Sequence, residues 1–220
     1  ANYWGYNNEI NVSPRAGIAY KPSWSDDMLF RLSGGVYVQP PFYRELRKFD
    51  GSLVGPDDAS TQKSYQVVFT HEYNFKAWDR PFVLTSEVYY KYLKDIIPYE
   101  VDNVRIKYFA DQKATGYAAG MDMRINGEFV KGIESWASLS IMKSEENIKY
   151  YLSPTGTILS QNDVNNGAEY VCDTIIKGIP RPSDQRINFS IFFQDYIPFI
   201  PSFKVNLKLV FGTGMPFGAP

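Results

Sequence analysis

The chain has 220 residues, of which 44% are hydrophobic and 16% aromatic, and a formal net charge of −1. That balance carries no electrostatic footprint for nucleic acid. A mean hydropathy of −0.31, without any run of ~20 apolar residues, excludes a bundle of transmembrane helices.

Ala1 to Tyr6 is polar and aromatic rather than a secretory leader, so an exported protein would carry this stretch as a mature piece or an internal fragment. From there the chain reads as strands. In Ile10 to Lys21 the even positions are Ile10, Val12, Pro14, Ala16, Ile18 and Tyr20, while the odd ones include Asn11, Ser13, Arg15 and Lys21. A strand sends successive side chains to opposite faces, so such a segment builds a sheet with one greasy and one polar side. The same alternation predicts strands over 28–39, 64–75, 81–94, 115–129, 134–144, 184–195 and 203–213. The last sets Phe203, Val205, Leu207, Leu209 and Phe211 against Lys204, Asn206 and Lys208. In 134–144 the pattern is weakest, because Trp136 and Met142 share parity with Ser138 and Ser140; Ala137, Leu139 and Ile141 are assigned to the apolar side.

Most segments run about 9–13 residues, enough at roughly 3.3 Å per residue and a tilt near 45° to cross a ~25 Å apolar slab. The connections alternate in length. Short ones fall at 22–27, 76–80, 130–133 and 196–202, long ones at 40–63, 95–114 and 145–183. Short and long in strict alternation predicts an up-and-down transmembrane β-barrel segment of about eight strands, with tight periplasmic turns and long external loops.

Charge follows the same division. The outward positions carry Val36, Val67, Phe69, Leu84, Val88, Met121 and Met123, with charge only at Lys143 and Asp195 near strand ends. The opposite positions carry Arg15, Arg31, Glu72, Glu87, Lys91, Asp122, Arg124, Glu128, Arg186, Lys204 and Lys208. A cation facing lipid at midplane costs about 2–4 kcal/mol, whereas a wet lumen accepts it. Tyr20, Tyr73, Phe75, Phe82, Tyr90, Tyr92, Tyr117, Phe129 and Phe203 fall toward strand ends, as aromatic girdles do.

Chemistry finds no foothold. The single histidine, His71, sits on an apolar face without a base–orienter partner. One His and one Cys, Cys172, cannot make a zinc site or an internal disulfide. Asn162, Asp163, Asn165, Asn166 and Gly167 are oxygen-rich but lack the spacing of a 12-residue EF-hand loop, and the sequons at Asn11–Ser13 and Asn188–Ser190 lie inside predicted strands. No catalytic residue, metal or cofactor is assigned.

Several strings point to a family. Gln39-Pro40-Pro41-Phe42-Tyr43-Arg44-Glu45-Leu46 after a strand resembles the TonB-dependent outer-membrane receptors of Bacteroidetes-type bacteria. Ser13-Pro14-Arg15-Ala16-Gly17, Glu87-Val88-Tyr89-Tyr90-Lys91, Pro180-Arg181-Pro182-Ser183-Asp184-Gln185-Arg186 and Gly212-Thr213-Gly214-Met215-Pro216-Phe217-Gly218 are similar to barrel strands of the same family. The resemblance implies a 22-stranded barrel in the bacterial outer membrane, plugged by a globular domain, that imports a scarce or large nutrient such as a siderophore, haem, glycan or peptide. It implies as partners the protein's own plug and remaining strands, outer-membrane lipid, TonB through an N-terminal region outside this chain, and a surface lipoprotein. Arg31, Glu87, Tyr89, Lys91, Asp122, Arg124 and Arg186 would line the lumen, and Tyr150, Tyr151 and Tyr170 would meet ligand in the external loops. A passive porin shares the strands and loop asymmetry; a soluble all-β binding module shares the alternation alone.

Overall fold

The computed structural model describes residues 11–48, 51–55, 61–102, 105–110, 112–155, 158–159, 164, 167–197 and 200–216. Among these, the Tyr and Phe residues and the two-residue alternation produce an all-β chain. Eight strands lie side by side in sequence order: β1 (Arg15–Tyr20), β2 (Met28–Gln39), β3 (Gln62–Ala77), β4 (Arg80–Ile96), β7 (Ala114–Val130), β8 (Ile133–Leu152), β11 (Ile187–Ile197) and β12 (Ile200–Gly212). Every pairing is antiparallel, and the sheet is open, with β1 and β12 at its edges. The predicted strands are therefore present and in the predicted order. Strand order also places the three long connections at one end and the four short ones at the other.

Two corrections arise at the long-loop end. The connection 95–114 carries a hairpin of β5 (Tyr99–Asp102) and β6 (Arg105–Tyr108), where the sequence predicts a loop. The strand predicted over 134–144 continues to Leu152, and β9 (Ile158–Leu159) and β10 (Cys172–Pro180) pair with that extension. The first strand also begins later than predicted, at Arg15 rather than at 10, and the seventh at Ile187 rather than 184. Of the oxygen-rich loop, 162, 163, 165 and 166 lie outside the described residues, as do Phe217 and Gly218 of the closing string.

Short turns explain the sharp reversals. Between β3 and β4 only Trp78 and Asp79 intervene, at φ 50° and 58°. Both central residues of such a two-residue turn need positive φ, which suits Gly, Asn or Asp far better than Trp. Asp79→Gly is expected to stabilise the hairpin by about 0.5–1 kcal/mol, read as a higher urea midpoint in detergent; an unchanged or lower midpoint would contradict the assigned turn.

Few apolar side chains are buried. They gather at the ends of the sheet: Phe82 and Ile133 at the short-turn end, and Ile96, Ala114 and Ile148 with Leu46, Val54 and Ile97 at the long-loop end. A register shift between Leu93 and Ile96, with Asp95 at φ 56°, brings both residues against Ala114 and Ile148, the re-aiming that a β-bulge supplies. Along the strands themselves, Val67 (55%), Leu207 (60%) and Leu209 (54%) remain exposed.

Candidate functional site

Cross-strand register sorts the side chains of the eight strands into two faces. On the apolar face one row reads Ile18, Leu32, Phe69, Val88, Met121, Ile141 and Ile187 across seven strands. The next row toward the short turns reads Tyr20, Phe30, His71, Ser86, Met123, Leu139, Phe189 and Phe211. His71 stacks on Phe30 at 4.8 Å between ring centres, a packing role. Trp136 belongs to the other face, where it stacks with Phe192 at 6.0 Å under the Arg124 guanidinium. Ala137, Leu139 and Ile141 are accordingly on the apolar side, as the sequence predicts.

Aromatic residues border this face at both ends. At the long-loop end, Tyr65, Tyr92 and Tyr117 form one row, with Tyr65 and Tyr92 ring centres 6.2 Å apart. At the short-turn end, Phe75, Phe82, Trp78 and Phe129 pack together at 5.1–6.0 Å around a slot left by Gly127; a Cβ there would lie 2.2 Å from the Phe82 ring. From Tyr65 to Phe75 the strand advances ~33 Å, which at a tilt near 40° spans ~25 Å, the height of the apolar band of a membrane barrel.

The polar face gathers the predicted lumen residues. Arg31, Thr70, Glu87, Asp122 and Ser140 form one cross-strand row; Arg124 stands one row toward the short turns, and Tyr89 and Lys91 one and two rows toward the long loops. Glu87 and Asp122 sit directly opposite each other, an arrangement that like charges disfavour, and each is met by a hydroxyl: Thr70 donates to Glu87 at 3.4 Å and Ser140 donates to Asp122. Arg31 pairs with Glu72 at 3.4 Å. Lys91 lies over the Tyr89 ring at 5.0 Å. A shallow depression of about 310 Å³ is lined by Thr85, Glu87, Asp122, Met123, Arg124, Ser138, Leu139 and Ser140.

Gly120 shapes this face. It is the register partner of Tyr89, and a Cβ at that position would lie 2.5 Å from the Tyr89 hydroxyl and 2.7 Å from the Ile141 carbonyl. The phenol therefore lies flat across β7 only because the residue there is glycine. Gly120→Val is expected to cost about 1–3 kcal/mol by overpacking, and Tyr89→Ala in the same chain should recover part of it. Additive losses in denaturant titrations would refute the contact.

Arg186 departs from the lumen assignment. It sits where β8 changes partner from β10 to β11, with Nε 2.8 Å from Asp184 and Nη2 3.9 Å from Glu145. Glu145 stands in the Tyr65–Tyr92–Tyr117 row of the apolar face, accepting from the Tyr117 hydroxyl at 2.8 Å and pairing with Lys143 at 2.7 Å. Arg186 thus takes part in a junction, apart from the row of Arg31, Glu87 and Asp122. Nearby, the buried Glu146 meets Arg181 at 3.4 Å; burial pushes its carboxyl above the usual range, and Arg181 opposes the shift.

Of the three tyrosines expected to meet ligand, Tyr170 is exposed, whereas Tyr151 is buried, with Tyr170 edge-on at 5.1 Å and the Lys149 ammonium 4.7 Å above its ring. The side chain of Tyr150 lies outside the described residues. Sequence reasoning missed the β5–β6 hairpin, where Arg181 reaches the Tyr99 ring at 5.8 Å; the Tyr99–Tyr108 cross-strand pair was its one signal. No group of three or more His, Cys, Asp and Glu side chains able to hold a metal occurs among the described residues. No family model matches the chain, and no curated protein or solved structure matches it significantly.

Proposed function

We propose that this chain is part of the β-barrel of an outer-membrane receptor of the TonB-dependent type, taking up a scarce or large nutrient by binding and gated passage. The observation that carries the membrane reading is the predominantly apolar face shared by eight strands, bordered at both ends by aromatic residues ~25 Å apart in height. A soluble monomer seldom exposes contiguous apolar patches beyond a few hundred Å², and the strands here leave residues such as Val67, Leu207 and Leu209 uncovered. The receptor assignment rests on the family strings and on the charge-balanced polar face, which suits a wall against a plug and a polar cargo. Bond chemistry has no place in it.

Fluorophores on single cysteines test the membrane reading, in a Cys172→Ser background folded with detergent and transferred to lipid. A bilayer-borne nitroxide is expected to quench labels at Val67, Leu84 and Leu209 and to spare those at Thr70 and Ser138. A monodisperse, cooperatively melting monomer in plain buffer would overturn the reading. For transport, disruption of the gene is expected to abolish growth on one limiting nutrient. Free leakage of small solutes through the protein in liposomes would favour a passive pore instead.

A further inference from the structure

Besides Lys143 and Asp195, the apolar side carries a further pair of charges, for which no ion-pair partner occurs among the described residues. Lys63 and Lys94 are direct register partners across β3 and β4, one pair beyond Tyr65 and Tyr92 toward the long loops. The β3–β4 ladder keeps its register through this pair, although β4 bulges toward β7 between Leu93 and Ile96, so both ammonium-bearing side chains share the face of those tyrosines. Val38 of β2 is the other neighbour of Lys63. Like charges directly opposite each other on a sheet repel, whereas elsewhere on this face Lys143 pairs with Glu145 at 2.7 Å and Asp195 accepts from the Tyr196 amide at 2.7 Å. Lys63 and Lys94 make no ion pair among the described residues. Glu45, on the preceding connection, accepts from the Phe42 amide and the Gln62 side chain, each at 2.8 Å and both through Oε2, and makes no ion pair with either lysine.

Read from the band outward, the site presents apolar Val67 and Val88, then the ring pair Tyr65–Tyr92, then two cations without an ion pair among the described residues. That order matches an anionic amphiphile lying against the sheet: acyl chain, ester and glycerol region, phosphate. The lysine stems lie along apolar surface while their heads reach the charged layer. We propose that Lys63 and Lys94 clamp the phosphate of an anionic membrane lipid, with Tyr65 and Tyr92 flanking its headgroup. An anion shared between the two ammonium groups turns their repulsion into two charge-assisted contacts. The proposal rests on the membrane-spanning reading above.

The chain, folded into phosphatidylcholine vesicles with and without phosphatidylglycerol and then extracted gently, tests it by the lipid retained in native mass spectrometry. The expected result is preferential retention of phosphatidylglycerol, reduced about tenfold or more in K63Q/K94Q, restored in K63R/K94R and unchanged in K204Q/K208Q on the polar face. Equal retention by K63Q/K94Q and the unmodified chain would overturn the clamp. So would a chain that enters both vesicle types without preferring the anionic lipid, and that outcome leaves the membrane reading standing. A chain that stays in the aqueous phase with both vesicle types would overturn both.

Discussion

If the proposed membrane reading holds, Phe69→Arg is expected to destabilise the protein refolded into lipid by about 2–4 kcal/mol, whereas Thr70→Arg, one residue along, should stay within about 1 kcal/mol. Phe69 sits near mid-height of the apolar face, between Leu32 and Val88 in register and 6.2 Å from the Phe30 ring. A guanidinium there must either lose its hydration or drag water into the band. Thr70 points to the other face, where it donates to Glu87 and where an added cation meets carboxylates at Glu87 and Glu72. Denaturant titration of both variants in the same lipid isolates the face, since strand, depth and substituent are shared. Equal losses would mean that the two faces see the same solvent, which neither a membrane wall nor a sheet with one buried face allows.

The sandwich of polar and apolar rows was legible because period-two patterning is a direct consequence of strand geometry, and a one-residue slip would have inverted it. Val67, Phe69, Leu84, Met121, Leu207 and Leu209 share one face, and Arg31, Glu87, Asp122 and Arg124 the other, as the alternation requires. Legibility failed where the two faces stop seeing different surroundings. Beyond Lys143 the strand β8 runs Ser144, Glu145, Glu146, Asn147, Ile148, Lys149, with charge on both parities, so alternation fades although pairing with β10 continues. In β10 Ile175 and Ile176 are adjacent and both exposed, again without a period. The bulge at Leu93–Ile96 shifts parity within a single strand, which no fixed-period reading follows. Trp136 was ambiguous for another reason: its ring is held by Arg124 and Phe192, partners on neighbouring strands that local sequence does not reveal.

The candidate site shows the same limit. Placement of Arg31, Glu87, Tyr89, Lys91, Asp122 and Arg124 on one face follows from parity, but which of them remain free to meet a partner does not. Tyr89 depends on the absence of a side chain at Gly120, and Arg186 is drawn away by carboxylates 2 and 41 positions from it in sequence, at Asp184 and Glu145.

That junction yields the second large effect. β8 is paired along its length by two strands in succession, β10 from Leu152 down to Glu145 and β11 from Ile141 onward. Between them the chain leaves the ladder at Pro180 and Pro182, which supply no N–H. Asp184, buried to 2% exposure, fills the gap: its Oδ1 accepts the Ser144 amide at 2.7 Å, where a strand would offer a carbonyl, and its Oδ2 pairs with Arg186 at 2.8 Å. Asp184→Ala is expected to cost about 2–4 kcal/mol, because it orphans a backbone donor and releases the guanidinium of a partly exposed arginine. Asp184→Asn keeps the acceptor for Ser144 and should recover about half of the loss, since a hydrogen bond to a neutral group is roughly half as strong as one to a charged group. Hydrogen exchange separates the two contributions. In Asp184→Ala the Ser144 amide and those of the β8 extension should exchange faster, while amides of β3 and β4 keep their protection. Uniform loss of protection across the sheet would show that Asp184 stabilises the whole fold, and unchanged exchange at Ser144 would remove the carboxylate from the ladder altogether.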